Sequence, residues 1–196
     1  MAYDPARTTA PAATNLPEPI KETPSQTAGP FIHVGIMCAT AGITPPFGTD
    51  LTTNRDLPAG EKITIEGRIL DGEGAVATEA VIESWQADRA GSFARGIWRR
   101  AASDLETGIF RIETVKPGTA PDTGLAPHIA LWIVARGLNN GLLTQLYFAE
   151  DDLTSDPILA LVPEARRPTL IASGRDGTYC FDVHLQGPHE TVFFDT

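Results

Sequence analysis

The chain has 196 residues, with 25 acidic against 15 basic side chains and a formal net charge of −10. So acidic a chain does not track phosphate backbones or anionic bilayers, which excludes nucleic acid and membrane surfaces as partners, and no apolar run reaches the roughly 18 residues of a membrane span. A hydrophobic content of 42% is ordinary for a globular protein, while 18 Gly and 16 Pro without a collagen-like period predict short strands divided by turns.

Residues 1–20 are rich in Ala, Pro and Thr and read as a mobile N-terminal arm, leaving 21–196 as one domain. Pro24 and Pro30 enforce extended backbone through 21–31, and 39–60, with Pro45, Pro46 and Pro58, reads as a long loop. From Lys62 the pattern turns to β. Residues 62–70 alternate apolar and polar and stop at Asp71-Gly72-Glu73-Gly74. Residues 79–87 form the next run, followed by a turn at 88–91 and a loop carrying Phe93 and Trp98. Residues 107–115 alternate again up to Lys116-Pro117-Gly118. Residues 127–136 are apolar almost throughout, which predicts a strand buried on both faces. Asn139-Asn140-Gly141 turns the chain into a strand at 142–149. An irregular or short helical region to Pro163, then a helical turn and a strand within 163–173, lead to 178–186, where Tyr179, Phe181, Val183 and Leu185 share a face; 191–194 closes the chain. Seven or eight short strands with Gly/Pro turns define an all-β fold, an antiparallel sandwich with long loops.

Cys38 and Cys180 have no metal-knuckle or disulfide spacing, and the N-terminus has no basic start followed by an apolar core. Reduced thiols and a cytoplasmic location follow as expectations. None of His33, His128, His184 and His189 has a second His two residues away, the spacing that points two imidazoles to one face of a strand. The nearest approach is His128-Ile129-Ala130, and alanine has no donor, so no metal site and no catalytic residue is expected in this chain. Tyrosines occur only at 3, 147 and 179. Arg136 ends the long apolar strand beside Gly137. It reads either as a clamp for a carboxylate or as the partner of a surface acid. Thr27-Ala28-Gly29-Pro30 reads either as a plain extended entry or as backbone that a ligand approaches closely. Arg99, Arg100, Arg166 and Arg167 read as solvated or ion-paired surface.

Six segments in order, ETPSQTAGP, IESWQAD, FRIETVKPG, APHI, TQLYF and YCFDVHLQG with ETVFFD, are spread along the chain from Glu22 to its end. Together they resemble the intradiol ring-cleavage dioxygenases, and among them the α-type subunit of the heteromeric members. The resemblance implies a prealbumin-like β-sandwich paired with an iron-binding β subunit, whose Fe(III) is held by two Tyr and two His. It also implies cleavage of 3,4-dihydroxybenzoate (protocatechuate) by O2 to 3-carboxy-cis,cis-muconate. In this chain the loop after Trp85-Gln86-Ala87 has no Tyr, Ala120 stands where the second Tyr is expected, and Ala130 replaces one His of the A-H-I-H pattern. The Fe(III) is therefore expected in the partner and not here. What the resemblance leaves this chain is a share in the substrate pocket through Thr27, Gly29, Pro30 and Arg136, with Arg136 facing the substrate carboxylate. Two other readings are a metal enzyme using His128 with Glu113 or Asp122, and a non-enzymatic transthyretin-like binding or scaffold module.

Overall fold

The structure, a computed structural model, describes residues 26–38, 42–44, 57–121 and 123–195, without the side chains of 33 and 34. The arm expected at 1–20 and most of the loop expected at 39–60 lie outside the described residues.

A short helix α1 (Ile32–Ile36) is followed by β1 (Lys62–Gly67), β2 (Ile69–Leu70), β3 (Ala80–Gln86), β4 (Ile97–Ala102), β5 (Phe110–Val115), β6 (His128–Ala135) and β7 (Leu142–Phe148). Then come α2 (Pro157–Leu161), a 3-10 segment (Glu164–Leu170), β8 (Ile171–Arg175), β9 (Thr178–Cys180) and β10 (Val183–His184). Eight strands form one sheet in the order β4-β3-β6-β7-β8-β9-β1-β5, and β10 pairs with β2. The sheet folds over on itself. Ile63, Ile65 and Ile112 from one half share a core with Ile82, Ile129, Leu131 and Leu146 from the other. Near the outermost strands, Arg99 of β4 donates Nε–H to Glu113 O of β5 at 3.3 Å. The all-β sandwich is therefore as the sequence pattern has it, but three of its pairings (β1–β9, β7–β8 and β2–β10) are parallel.

Other departures have local causes. The run 62–70 breaks in two because the backbone of Gly67 lies against the backbone of Phe181, where a Cβ would sit 1.9 Å from Phe181 O. Arg68 N–H then donates to Asp182 Oδ1 at 2.8 Å, and the chain changes partners from β5 to β10. The run 178–186 splits at the same crossing. Trp98, expected in a loop, lies on β4 opposite Trp85; two arginines inside the strand hide its alternation. β6 is not buried on both faces. Ile129, Leu131, Ile133 and Ala135 fill the core, whereas Trp132 on the outer face is 39% exposed. That face is covered at its two ends and open between them: at one end by α1, whose Ile32 packs with Met37 against Val81, Ala102 and Val134. At the other end of the strand, Tyr147 is buried with Leu159 and Val162 of the α2 region.

Candidate functional site

The positions that the sequence marks as lost metal ligands do converge. The turn after β3 is closed by Asp88, whose Oδ1 accepts from Ala90 N at 2.8 Å and Ser92 N at 3.0 Å. Gly91 sits at φ +78°, and a Cβ there would lie 1.9 Å from Thr119 O, so this turn is pressed onto the segment carrying Ala120. Two residues on, the Phe93 ring lies 6.0 Å from the His128 ring, and the Tyr147 ring lies 5.8 Å from it. Ala130 shares the outer face of β6 with His128, as the period of two requires.

The donors at this cluster do not fit a ferric ion. Ala120, Ala130 and Phe93 have none. The Nδ1 of buried His128 is 2.9 Å from Ala126 O, which leaves Nε2 as the single ring nitrogen it could offer a metal. Tyr147 donates its hydroxyl towards Gln145 Oε1 and Asp156 Oδ1. Burial, and then the Asp156 carboxylate, push its phenol well above the usual tyrosine value. Among the described residues no three of His, Cys, Asp and Glu are grouped so as to hold a metal. Glu113 is exposed on β5, and Asp122, the other carboxylate considered with His128, lies outside the described residues.

The four candidate pocket residues come together at the opposite end of the outer face. Ala28 forms a parallel bridge with Arg136, and Ala28 N–H donates to Leu138 O at 3.3 Å. The TAGP segment is thus laid along the exit of β6, where Gly137 at φ +91° turns the chain. Thr27 and Pro30 are exposed, and the Thr27 hydroxyl donates to Ala28 O at 3.1 Å. A Cβ on Gly29 would meet nothing within 4 Å, so packing within this chain does not require glycine there. α1, which follows directly, is tied to the sheet by Arg100. Its Nη1–H donates to Ile36 O at 3.1 Å, while its guanidinium pairs with Glu83 and lies over the Trp98 ring.

Arg136 is paired as the plainer reading of the sequence expects, yet only on one side. Its Nη1–H donates to Glu79 Oε2 at 3.0 Å, its side chain is 63% exposed, and Glu79 is 22% exposed. Sequence reasoning did not single out Glu79, which is one acid among 25 acidic residues and stands just before β3. It also missed Phe31, next to Pro30 and 77% exposed, and the outward side chains of Trp85 (44%) and Trp132.

The Dioxygenase family model matches residues 42–187. The α chain of protocatechuate 3,4-dioxygenase from Pseudomonas putida is 37% identical over 198 residues, which cover 91% of this chain and 98% of that one. A protocatechuate 3,4-dioxygenase β chain, from Burkholderia cepacia, is 31% identical over 176 residues, 74% of each chain. The crystal structure of 3-chlorocatechol 1,2-dioxygenase from Rhodococcus opacus 1CP, at 23% identity, superposes with a TM-score of 0.52 over 68% of this chain and 63% of its own, a likeness of fold. The chain belongs to the intradiol ring-cleavage dioxygenase family. Within that family it is similar to the α chains of protocatechuate 3,4-dioxygenase and, more distantly, to a β chain of that enzyme.

Proposed function

We propose that this chain is the non-iron-binding α subunit of a cytoplasmic protocatechuate 3,4-dioxygenase, built as one domain over residues 21–196. It pairs with an iron(III)-binding β subunit that opens the ring of 3,4-dihydroxybenzoate with O2. The similarity to both α and β chains supports a heteromer of like-folded subunits. The alanines at 120 and 130 support placing the iron in the partner. The observation that carries the shared pocket is the Ala28–Arg136 bridge, which gathers a small-residue backbone and an exposed guanidinium into one edge.

At that edge Thr27, Gly29 and Pro30 wall the partner's pocket, and the open backbone at Gly29 leaves room for a ring or a neighbouring chain to approach. Arg136 neutralises and orients the substrate carboxylate, which is positioning and not redox chemistry. Phe31, Trp85 and Trp132 supply aromatic anchors for the interface, the residue types enriched where permanent partners meet. No helix among the described residues is long and apolar enough to cross a membrane.

The test is Arg136→Ala in the assembled enzyme. A charge-assisted hydrogen bond contributes about 1.5–3 kcal/mol, so KM for protocatechuate rises about 10–100-fold with iron content unchanged. Catechol, which lacks the carboxylate, changes far less. Equal losses for both substrates, or none, return Arg136 to a structural role.

A further inference from the structure

We propose that Glu79 is the positioning residue for Arg136. Its carboxylate holds one corner of the guanidinium so that the remaining edge faces the substrate carboxylate. The inference rests on the clamp reading of Arg136 given above, and the experiment below lets the two fail separately.

Residue 79 grips residue 136 twice. Glu79 O accepts the backbone N–H of Arg136 at 3.0 Å, and Glu79 Oε2 accepts Nη1–H at 3.0 Å. On its far side Arg136 is bridged by Ala28, so its Cα is fixed between two neighbouring backbones. Exposure is unequal. The Glu79 side chain is 22% exposed and that of Arg136 63%, so the acid is the seated member of the pair and the guanidinium the presented one. Among the described residues no other hydrogen bond reaches the Arg136 guanidinium. A planar fork gripped at Nη1 still has its Nε and Nη2 protons, and an arginine so held loses less freedom when it binds a carboxylate in two-point geometry.

The arrangement also has an electrostatic consequence. Glu79 is a carboxylate next to a pocket that receives a carboxylate. While Arg136 stands between them, the bound array carries one cation flanked by two anions. When Arg136 is removed, the substrate meets the bare charge of Glu79. Arg136→Ala therefore loses an attraction and also uncovers a repulsion, so the two residues are not additive.

The experiment is a double-mutant cycle in the co-expressed heteromeric enzyme, with KM and kcat for protocatechuate and catechol, iron content and subunit stoichiometry measured for every variant. Glu79→Ala raises KM for protocatechuate about 5–10-fold through loss of preorganisation, with kcat changed much less. Glu79→Gln, which keeps an acceptor oxygen, raises it less than Glu79→Ala. Combining Glu79→Gln with Arg136→Ala lowers KM about 3–10-fold relative to Arg136→Ala alone, because the uncovered anion is gone. For catechol, each of these KM changes is several-fold smaller. A purely structural Glu79 moves both substrates together and gives no rescue in the double variant. If Arg136→Ala raises KM but Glu79→Ala does not, or the double variant binds no better than Arg136→Ala, the positioning role falls and the clamp stands. If Arg136→Ala itself leaves KM unchanged, the clamp falls and takes this inference with it.

Discussion

Asp156 joins α2, Tyr147 and the segment leading into β6, and its removal has a cost that can be worked from the contacts. Its Oδ1 caps α2 by accepting from Ile158 N at 2.9 Å and Leu159 N at 2.8 Å, and it also receives the Tyr147 hydroxyl at 3.3 Å. Oδ2 accepts from Ala126 N at 2.8 Å, holding the segment that leads into β6. The side chain is buried, and so is Ala126. Asp156→Ala forfeits an N-cap, typically ~1 kcal/mol, and leaves the buried Ala126 N–H without a partner, a further ~1–3 kcal/mol. The sum is about 2–4 kcal/mol. At about 2–4 °C per kcal/mol for a chain of this size, Tm falls by about 5–15 °C. Asp156→Asn keeps the Oδ1 cap but turns an amide N–H2 towards the Ala126 N–H, so it should retain the ~1 kcal/mol of the cap and lose the rest. Calorimetry with a parallel urea titration reads both variants. A Tm for Asp156→Ala within about 2 °C of the wild type, or an Asn variant as damaged as the Ala variant, refutes the reasoning.

Charge placed on the outer face, as Trp85→Glu or Trp132→Glu, should prevent stable association with the β subunit in size-exclusion chromatography while leaving the chain folded by circular dichroism, because a buried unpaired carboxylate is costly at an interface; normal assembly of both variants removes that face from the interface. A third prediction concerns alkali. Burial, and then Glu150, push the Tyr179 phenol up to about 12 from 10.0, and although burial works against its charge, Lys116 is held above the ordinary lysine value by Glu150 and Asp151. The folded state keeps protons that the unfolded chain releases, so stability present below about pH 10 falls as pH rises towards 12; Tyr179→Phe should flatten that fall, and an unchanged slope of urea-derived stability against pH from 9 to 12 contradicts the assignment.

Much of the fold is legible because local alternation and turn chemistry agree with tertiary burial. The runs at 79–87, 107–115 and 142–149 are observed as β3, β5 and β7. Reading failed where long-range approach decides the outcome. Nothing local to Gly67 announces that the backbone of Phe181 will cross it, and the arginines of β4 mask a strand whose side chains satisfy themselves on Glu83 and on backbone carbonyls. The long apolar run of β6 misled for a different reason. An outward tryptophan looks like core in sequence, whereas in an isolated chain it stands in solvent. The candidate pocket residues Thr27, Gly29, Pro30 and Arg136 were visible through motif resemblance. Their gathering at one edge depends on a bridge across more than a hundred residues, and Glu79 had no signal of its own until Arg136 was placed beside it.

As the proposed α subunit, this chain completes a site whose iron lies in its partner. The most direct measurement is to separate the co-purified subunits, determine iron in each, and titrate this chain into the iron-loaded β subunit while following protocatechuate cleavage. The isolated chain should be colourless, iron-free and inactive, and turnover should rise until the subunits are equimolar, as a shared site requires. Stoichiometric iron and ring cleavage in this chain alone, or β-subunit turnover indifferent to its addition, contradicts it.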